Sequence, residues 1–111
     1  MKLIIAFVQP FKAPRVVQAL HEISGVTGAT FTDARGFGRG RTTHQPEAEE
    51  LFGTAEKMRV ELVVRDELED AVVASIREAA HTGNRGDGKI YIVPVARAVR
   101  IATGEEGENA V

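Results

Sequence analysis

Apolar residues follow two different periods along the chain. Lys2 to Val8 is a short run rich in Ile, Leu and Val; it predicts a buried strand, stopped by Gln9-Pro10. Val16, Leu20 and Ile23 then recur at helical spacing and predict one apolar helix face. Pro14 suits the first turn of that helix, and Ser24-Gly25 ends it. Residues 26–35 have strand character, and Gly28 among them marks a bulge or a close backbone approach. Met58, Val60 and Leu62 alternate with Arg59, Glu61 and Val63, which predicts a strand over 58–64. Asp66 is a suitable N-cap, with Glu69 completing a capping box, and Leu68, Val72, Ile76 and Ala79-Ala80 form the stripe of a second helix. Thr82-Gly83 ends that helix. Residues 90–93 predict another strand, broken by Pro94, and residues 95–101 a last short strand or extension.

Between the two halves lies a polar stretch, residues 40–56, with Pro46, Gly53 and several carboxylates. A loop of that length in a compact domain is usually functional or mobile; the plain alternative is a tolerated surface insertion. The polar tail, about 103–111, is expected to fray. The order strand–helix–strand, long loop, strand–helix–strand predicts one α+β domain over 1–111. Its form is a ferredoxin-like βαβ-βαβ sandwich: an antiparallel sheet covered on one face by two helices. The opposite sheet face then needs a cover, and self-association is the simplest one.

Composition narrows the function. The chain has 111 residues, 43% hydrophobic and 27% charged, with a formal net charge of -2. That balance argues against general nucleic-acid binding, which needs a basic face to neutralise phosphates. With no cysteine, thiolate chemistry and disulfides are excluded. The N-terminal apolar run is too short for a signal peptide or a membrane span, so a cytoplasmic protein with no membrane insertion is expected.

Two glycine-rich segments carry the candidate chemistry: Gly36-Phe37-Gly38-Arg39-Gly40-Arg41 and Gly83-Asn84-Arg85-Gly86-Asp87-Gly88-Lys89. Glycines let backbone N–H groups converge on an anion, and adjacent Lys or Arg adds charge. Residues 83–89 match G-x-x-x-x-G-K in form. They are not a P-loop, because position 90 is Ile where a hydroxyl would hold Mg²⁺. The predicted order, helix to strand, is also the reverse of a P-loop. The competing explanation is a helix C-cap followed by a tight turn. The first segment has the R-G-F-G opening of an RNA-recognition motif but lacks the aromatic pair that stacks bases, so no nucleic-acid partner is expected. His21 and His81 fall in the predicted last turns of helices, where an imidazole meets the helix dipole favourably. His44 lies near Glu47, Glu49 and Glu50, where a metal site competes with a solvated acidic loop. No nucleophile elbow is present.

Several motifs together resemble the PII signal-transduction proteins, the nitrogen regulatory P-II family. They are Gln9-Pro10-Phe11-Lys12, Val26-Thr27-Gly28, Gly36-Phe37-Gly38-Arg39 and the run from Thr82 through Gly88-Lys89-Ile90. The resemblance continues through Val95-Ala96-Arg97 and Arg100-Ile101 to Thr103-Gly104-Glu105-Glu106. It covers nearly the whole chain. It implies a homotrimer that binds ATP, ADP or AMP in clefts between subunits and performs no catalysis. The phosphate contacts it implies are Gly36, Phe37, Gly38 and Arg39, then Gly86, Asp87, Gly88 and Lys89, with Arg100 from the next subunit. Thr30, Glu61 and Val63 match positions around the adenine and ribose, and Lys57 matches an oxo-acid-pairing lysine. Residues 40–56 would be the T-loop, which docks on a membrane transporter or a metabolic enzyme.

The chain departs from the family pattern at Gly40, where a Mg²⁺- and 2-oxoglutarate-binding Gln is common, and at Ala102, where a second arginine is common. No tyrosine lies in the loop. These departures imply a divergent, PII-like member that prefers ADP or AMP over ATP, responds weakly to 2-oxoglutarate, and leaves Mg²⁺ binding in question. The alternatives are a metal-responsive trimeric protein using His44, and a slow nucleotide hydrolase.

Overall fold

The computed structural model describes residues 1–38, 47–48 and 55–111. The chain runs through strand β1 (Lys2–Val8), helix α1 (Ala13–His21), strands β2 (Thr30–Gly36) and β3 (Ala55–Val64), helix α2 (Glu69–Ala80) and strand β4 (Gly88–Pro94). Short 3-10 turns lie at Pro10–Lys12, Asp66–Leu68 and Gly107–Ala110. The four strands form one sheet in the order β2-β3-β1-β4, with every neighbouring pair antiparallel. This is the α+β, ferredoxin-like arrangement that the two apolar periods predict.

Strand alternation divides the sheet into two faces. Ile4, Ala6 and Val8 of β1 and Val60, Leu62 and Val64 of β3 point to the helices and are buried. They meet Val16 and Leu20 of α1 and Val72, Ile76 and Ala80 of α2 in one core cluster. Burying a side chain such as Ile76 contributes about 1.5–3 kcal/mol. Leu3, Ile5, Phe7, Arg59, Glu61 and Val63 alternate onto the opposite face. Tyr91 and Val93 of β4, paired with Ile5 and Leu3, join them there and are exposed. The Phe7 and Tyr91 rings meet edge to face at 6.4 Å, and the Arg59 guanidinium stands 5.7 Å from the Phe7 ring centre. Among the described residues, no helix lies over this half-apolar face.

Element boundaries differ from the sequence expectation in ways that bear on the site. Strand β2 begins at Thr30, not Val26, because the Val26 N–H turns back to the Ile23 carbonyl at 3.2 Å. Gly28 is neither a bulge nor a close approach, since a Cβ there would meet nothing within 4 Å. Helix α1 ends at His21, although Ile23 still packs on the core. Asp66 is not a helix cap: its carboxylate accepts from the N-terminal amine at 2.8 Å and from Lys2 at 3.0 Å. Those two hydrogen bonds, the amine's first, hold its carboxyl below the usual carboxylate value. No strand forms over 95–101; Val99 makes a single bridge to Glu106. Nor does the tail fray. Gly107 N–H reaches the Ala98 carbonyl at 3.0 Å, Arg97 pairs with Glu106 at 2.7 Å, and Arg65 lies 3.8 Å from Glu108.

Candidate functional site

The sheet gathers the candidate residues at one end. Strand β2 finishes there at Gly36, β3 begins at Ala55, β1 finishes at Val8 and β4 begins at Gly88. The β2–β3 ribbon projects past β1, because Gly36 pairs with Ala55 and Ala34 with Lys57, while β1 has run out at the Val8–Met58 pair. That projecting ribbon is the base of the long 40–56 segment, most of which lies outside the described residues. Arg39, Gly40 and His44 fall outside them too.

Lys57 stands on the ribbon and donates its ammonium to the Gly86 carbonyl. Gln9, just beyond β1, donates its side-chain amide to the same oxygen at 2.8 Å. The base of the long segment is thus tied to the second glycine loop through one carbonyl. Gln9 was legible only as part of the family resemblance; nothing in its spacing marks it as a loop tether.

The second loop is built around Asp87. Its Oδ2 accepts the Thr82 N–H at 2.8 Å and the Gly83 N–H at 3.1 Å, and its Oδ1 accepts the Thr82 hydroxyl. Thr82 Oγ1 in turn accepts the Asn84 N–H at 3.0 Å. The Thr82 hydroxyl first, then the backbone donors, hold the Asp87 carboxyl below the usual carboxylate range. Both carboxylate oxygens are therefore engaged within the loop, and Asp87 shapes the cradle from inside. His81 lies just past the last helical residue, in extended conformation, with Nδ1 3.5 Å from Asp87 Oδ2.

Gly88 has φ +107, and a Cβ there would stand 1.6 Å from the Phe7 carbonyl oxygen. Only glycine lets β4 start against β1 at this point. Lys89 follows, exposed and paired with Phe7. Phe37 and Gly38 continue from β2 as exposed backbone.

A second group lies further along the sheet. Thr30 pairs with Glu61 across β2 and β3, and both line an open cavity of about 460 Å³ together with Val63. Leu3, Leu62, the 27–29 segment, Ala110 and Val111 complete its wall. The C-terminal residues carried no sequence signal for this place, since their composition reads as solvated tail. Arg59 Nε holds Glu61 Oε1 at 2.5 Å. Arg100 belongs to neither group: its backbone closes a turn with Gly104 and Glu105, and its guanidinium reaches the Asn109 carbonyl at 3.5 Å. Lys57 and Glu61 are separated by about 13 Å of extended strand. The two groups are therefore distinct places on one protomer.

Comparison with known proteins agrees with this architecture. The family model described as nitrogen regulatory protein P-II matches residues 1–105. The nitrogen regulatory protein P-II of Azospirillum brasilense is 45% identical over 113 aligned positions covering all of both chains. That of Haemophilus influenzae is 46% identical over the same span. Among solved structures, the Arabidopsis thaliana PII bound to citrate superposes with a TM-score of 0.82 at 36% identity, covering 99% of this chain and 91% of that one.

Proposed function

This chain belongs to the nitrogen regulatory protein P-II family, and on that premise we propose that it senses adenine nucleotides and reports them to a partner protein through the 40–56 segment. The observation that carries the reading is the Lys57 to Gly86 hydrogen bond. It joins the base of the long segment to the glycine loop to which the phosphate contacts are assigned. A ligand seated at Gly86, Gly88 and Lys89 competes for the geometry that Lys57 holds, so the segment is mechanically coupled to occupancy.

Two further observations support a ligand shared between copies. Thr30, Glu61 and Val63 sit about 13 Å along the strand from the phosphate-facing end, and we assign the adenine contacts they make to a nucleotide whose phosphates lie on a neighbouring copy. The uncovered sheet face, with Leu3, Ile5, Tyr91 and Val93, gives a homotrimer its apolar contact. Arg100, turned away from both groups in its own protomer, is assigned to the neighbour's nucleotide. Arg39, Gly36, Phe37 and Gly38 complete the phosphate contacts. Gly40 and Ala102 remove a metal-coordinating amide and a cation. ADP or AMP is therefore favoured over ATP, with a weak response to 2-oxoglutarate at Lys57. We assign the protein to the cytoplasm, with a transporter or metabolic enzyme as the partner.

Neither alternative reading gains support. His44 lies outside the described residues, and among those described no group of three or more His, Cys, Asp or Glu is gathered for a metal. No helix among them is long and apolar enough to cross a membrane.

Isothermal titration calorimetry with ATP, ADP and AMP, each with and without Mg²⁺ and 2-oxoglutarate, tests the reading. ADP or AMP binding more tightly than ATP, without an oxo-acid effect, is the expected result. Synergistic ATP and 2-oxoglutarate binding overturns the preference, and absence of any nucleotide binding overturns the function. Light scattering is expected to give the mass of three 12.0 kDa chains.

A further inference from the structure

We propose that His81 is a positioning residue that makes the Gly83-to-Lys89 cradle pH-sensitive, by closing on Asp87 when its imidazole is protonated. The proposal rests on the nucleotide-binding reading above and adds a regulation to it.

The geometry sets the two rings of contacts around one carboxylate. Asp87 Oδ2 already accepts two backbone N–H groups, from Thr82 and Gly83, and His81 Nδ1 lies 3.5 Å from the same oxygen. The Asp87 side chain is 24% exposed and that of His81 70% exposed, so a solvent-facing imidazole stands beside a half-sheltered anion. The ring also lies over the turn, since a Cβ on Gly83 would stand 3.9 Å from His81 Nε2. Histidine is the side chain whose charge ordinarily changes between pH 5 and 8. Asp87 stays ionised across that interval, because the Thr82 hydroxyl and the backbone donors hold its carboxyl low.

The surrounding charges are constant over the same range. Arg77, one turn back on α2, and Lys89, on β4, line a cavity with Asp87, which is the one acidic residue in its wall. Arg85 lies within the loop itself. His81 directly follows the last helical residue of α2. The variable charge facing Asp87 is thus that of His81. A neutral ring offers Asp87 at most one uncharged Nδ1–H donor. A protonated ring adds an ion pair that pins the turn, and the Gly86-to-Lys89 backbone that extends from it, in the shape the anion meets.

The test separates the clasp from nucleotide binding. In the nucleotide-free full-length protein, hydrogen-exchange protection of the Thr82 and Gly83 amides, referred to the intrinsic exchange rate at each pH, is expected to rise from pH 8 to 5 with one inflection. In His81→Gln that inflection is expected to vanish. Calorimetry with ADP at pH 6 and pH 8 then reads the consequence. Relative to His81→Gln, the wild type is expected to gain about three- to fivefold in affinity at the lower pH, the size of one exposed ion pair. Referring the wild type to the variant cancels protonation of the ADP phosphate itself. Absence of the amide inflection, or its persistence in His81→Gln, overturns the proposal. A pH-dependent affinity without the inflection also overturns it, in favour of simple attraction between His81 and phosphate. Failure of ADP to bind at all removes the proposed function, while the amide titration still decides the clasp.

Discussion

The two glycine-rich segments look alike in sequence and are held to glycine for different reasons. In the 83–89 loop the chain itself makes the demand. Gly83, Gly86 and Gly88 all have positive φ, and at Gly88 the Phe7 carbonyl leaves no room for a Cβ. In the first segment, Gly36 and Gly38 have no positive φ, and a Cβ at either would meet nothing within 4 Å among the described residues. Nothing among the described residues requires glycine there, so on the proposed function the close approach it permits is to a ligand or a second copy. A steric constraint inside the fold and a constraint imposed from outside it leave the same letter in the sequence.

That contrast can be broken or sharpened by substitution. The largest effect is expected for Gly88→Ala, which forces β4 off β1 at its first pair. It should cost about 3 kcal/mol or more in thermal or denaturant unfolding, combining steric overlap with strained backbone. Gly36→Ala and Gly38→Ala should change stability by less than about 0.5 kcal/mol. Yet Gly36→Ala should weaken ADP binding by about tenfold in calorimetry, since it pushes the ligand from the backbone donors. If Gly36→Ala unfolds the protein as readily as Gly88→Ala, the contrast is void.

Replacing Asp87 with Asn comes next. The second loop should lose amide protection at Thr82 and Gly83 in hydrogen exchange while the first segment is unaffected. Acid should act in the same direction. The folded-state value of Asp87 lies below its ordinary 3.8, so the stability it contributes is complete above that value. It is lost as pH falls through the lowered folded value, and Asp66 behaves alike. Asp87→Asn should flatten that part of the acid-unfolding curve. The smallest effect is expected for Lys57→Met, which releases the Gly86 carbonyl on the exposed ribbon. It should leave the melting temperature nearly unchanged and reduce the ADP-induced change in proteolysis of the 40–56 segment.

Much of this fold was legible because burial imposes period. The β1 run, the 58–64 alternation and the two helix stripes at Val16-Leu20 and Val72-Ile76 all reappear as the core cluster. Local chemistry was legible less often. Asp66 and Glu69 fit a capping box by spacing, but Asp66 had a stronger partner in the N-terminal amine, brought beside it by the β1–β3 register. Propensity cannot register a competitor that far away in the sequence. The tail misled for a similar reason. Its polar residues describe a solvated segment, yet Arg97, Arg100 and Arg65 lie where they hold Glu106, Asn109 and Glu108.

The candidate site divides along the same line. The glycines, Lys57, Lys89 and the family to which they point could be named from the chain alone, because motif residues are contiguous or matched by position. What the tertiary structure alone decided is which of them meet. Antiparallel register brings Lys57 to the Gly86 carbonyl and Thr30 to Glu61, and it leaves Arg100 with Asn109. It also turns Asp87 inward, from a phosphate-facing position in the motif to the center of its own loop. Hydrophobic period is a local property that burial writes into every strand and helix. A shared carbonyl or carboxylate depends on distant segments closing on one another, and only the folded chain specifies that.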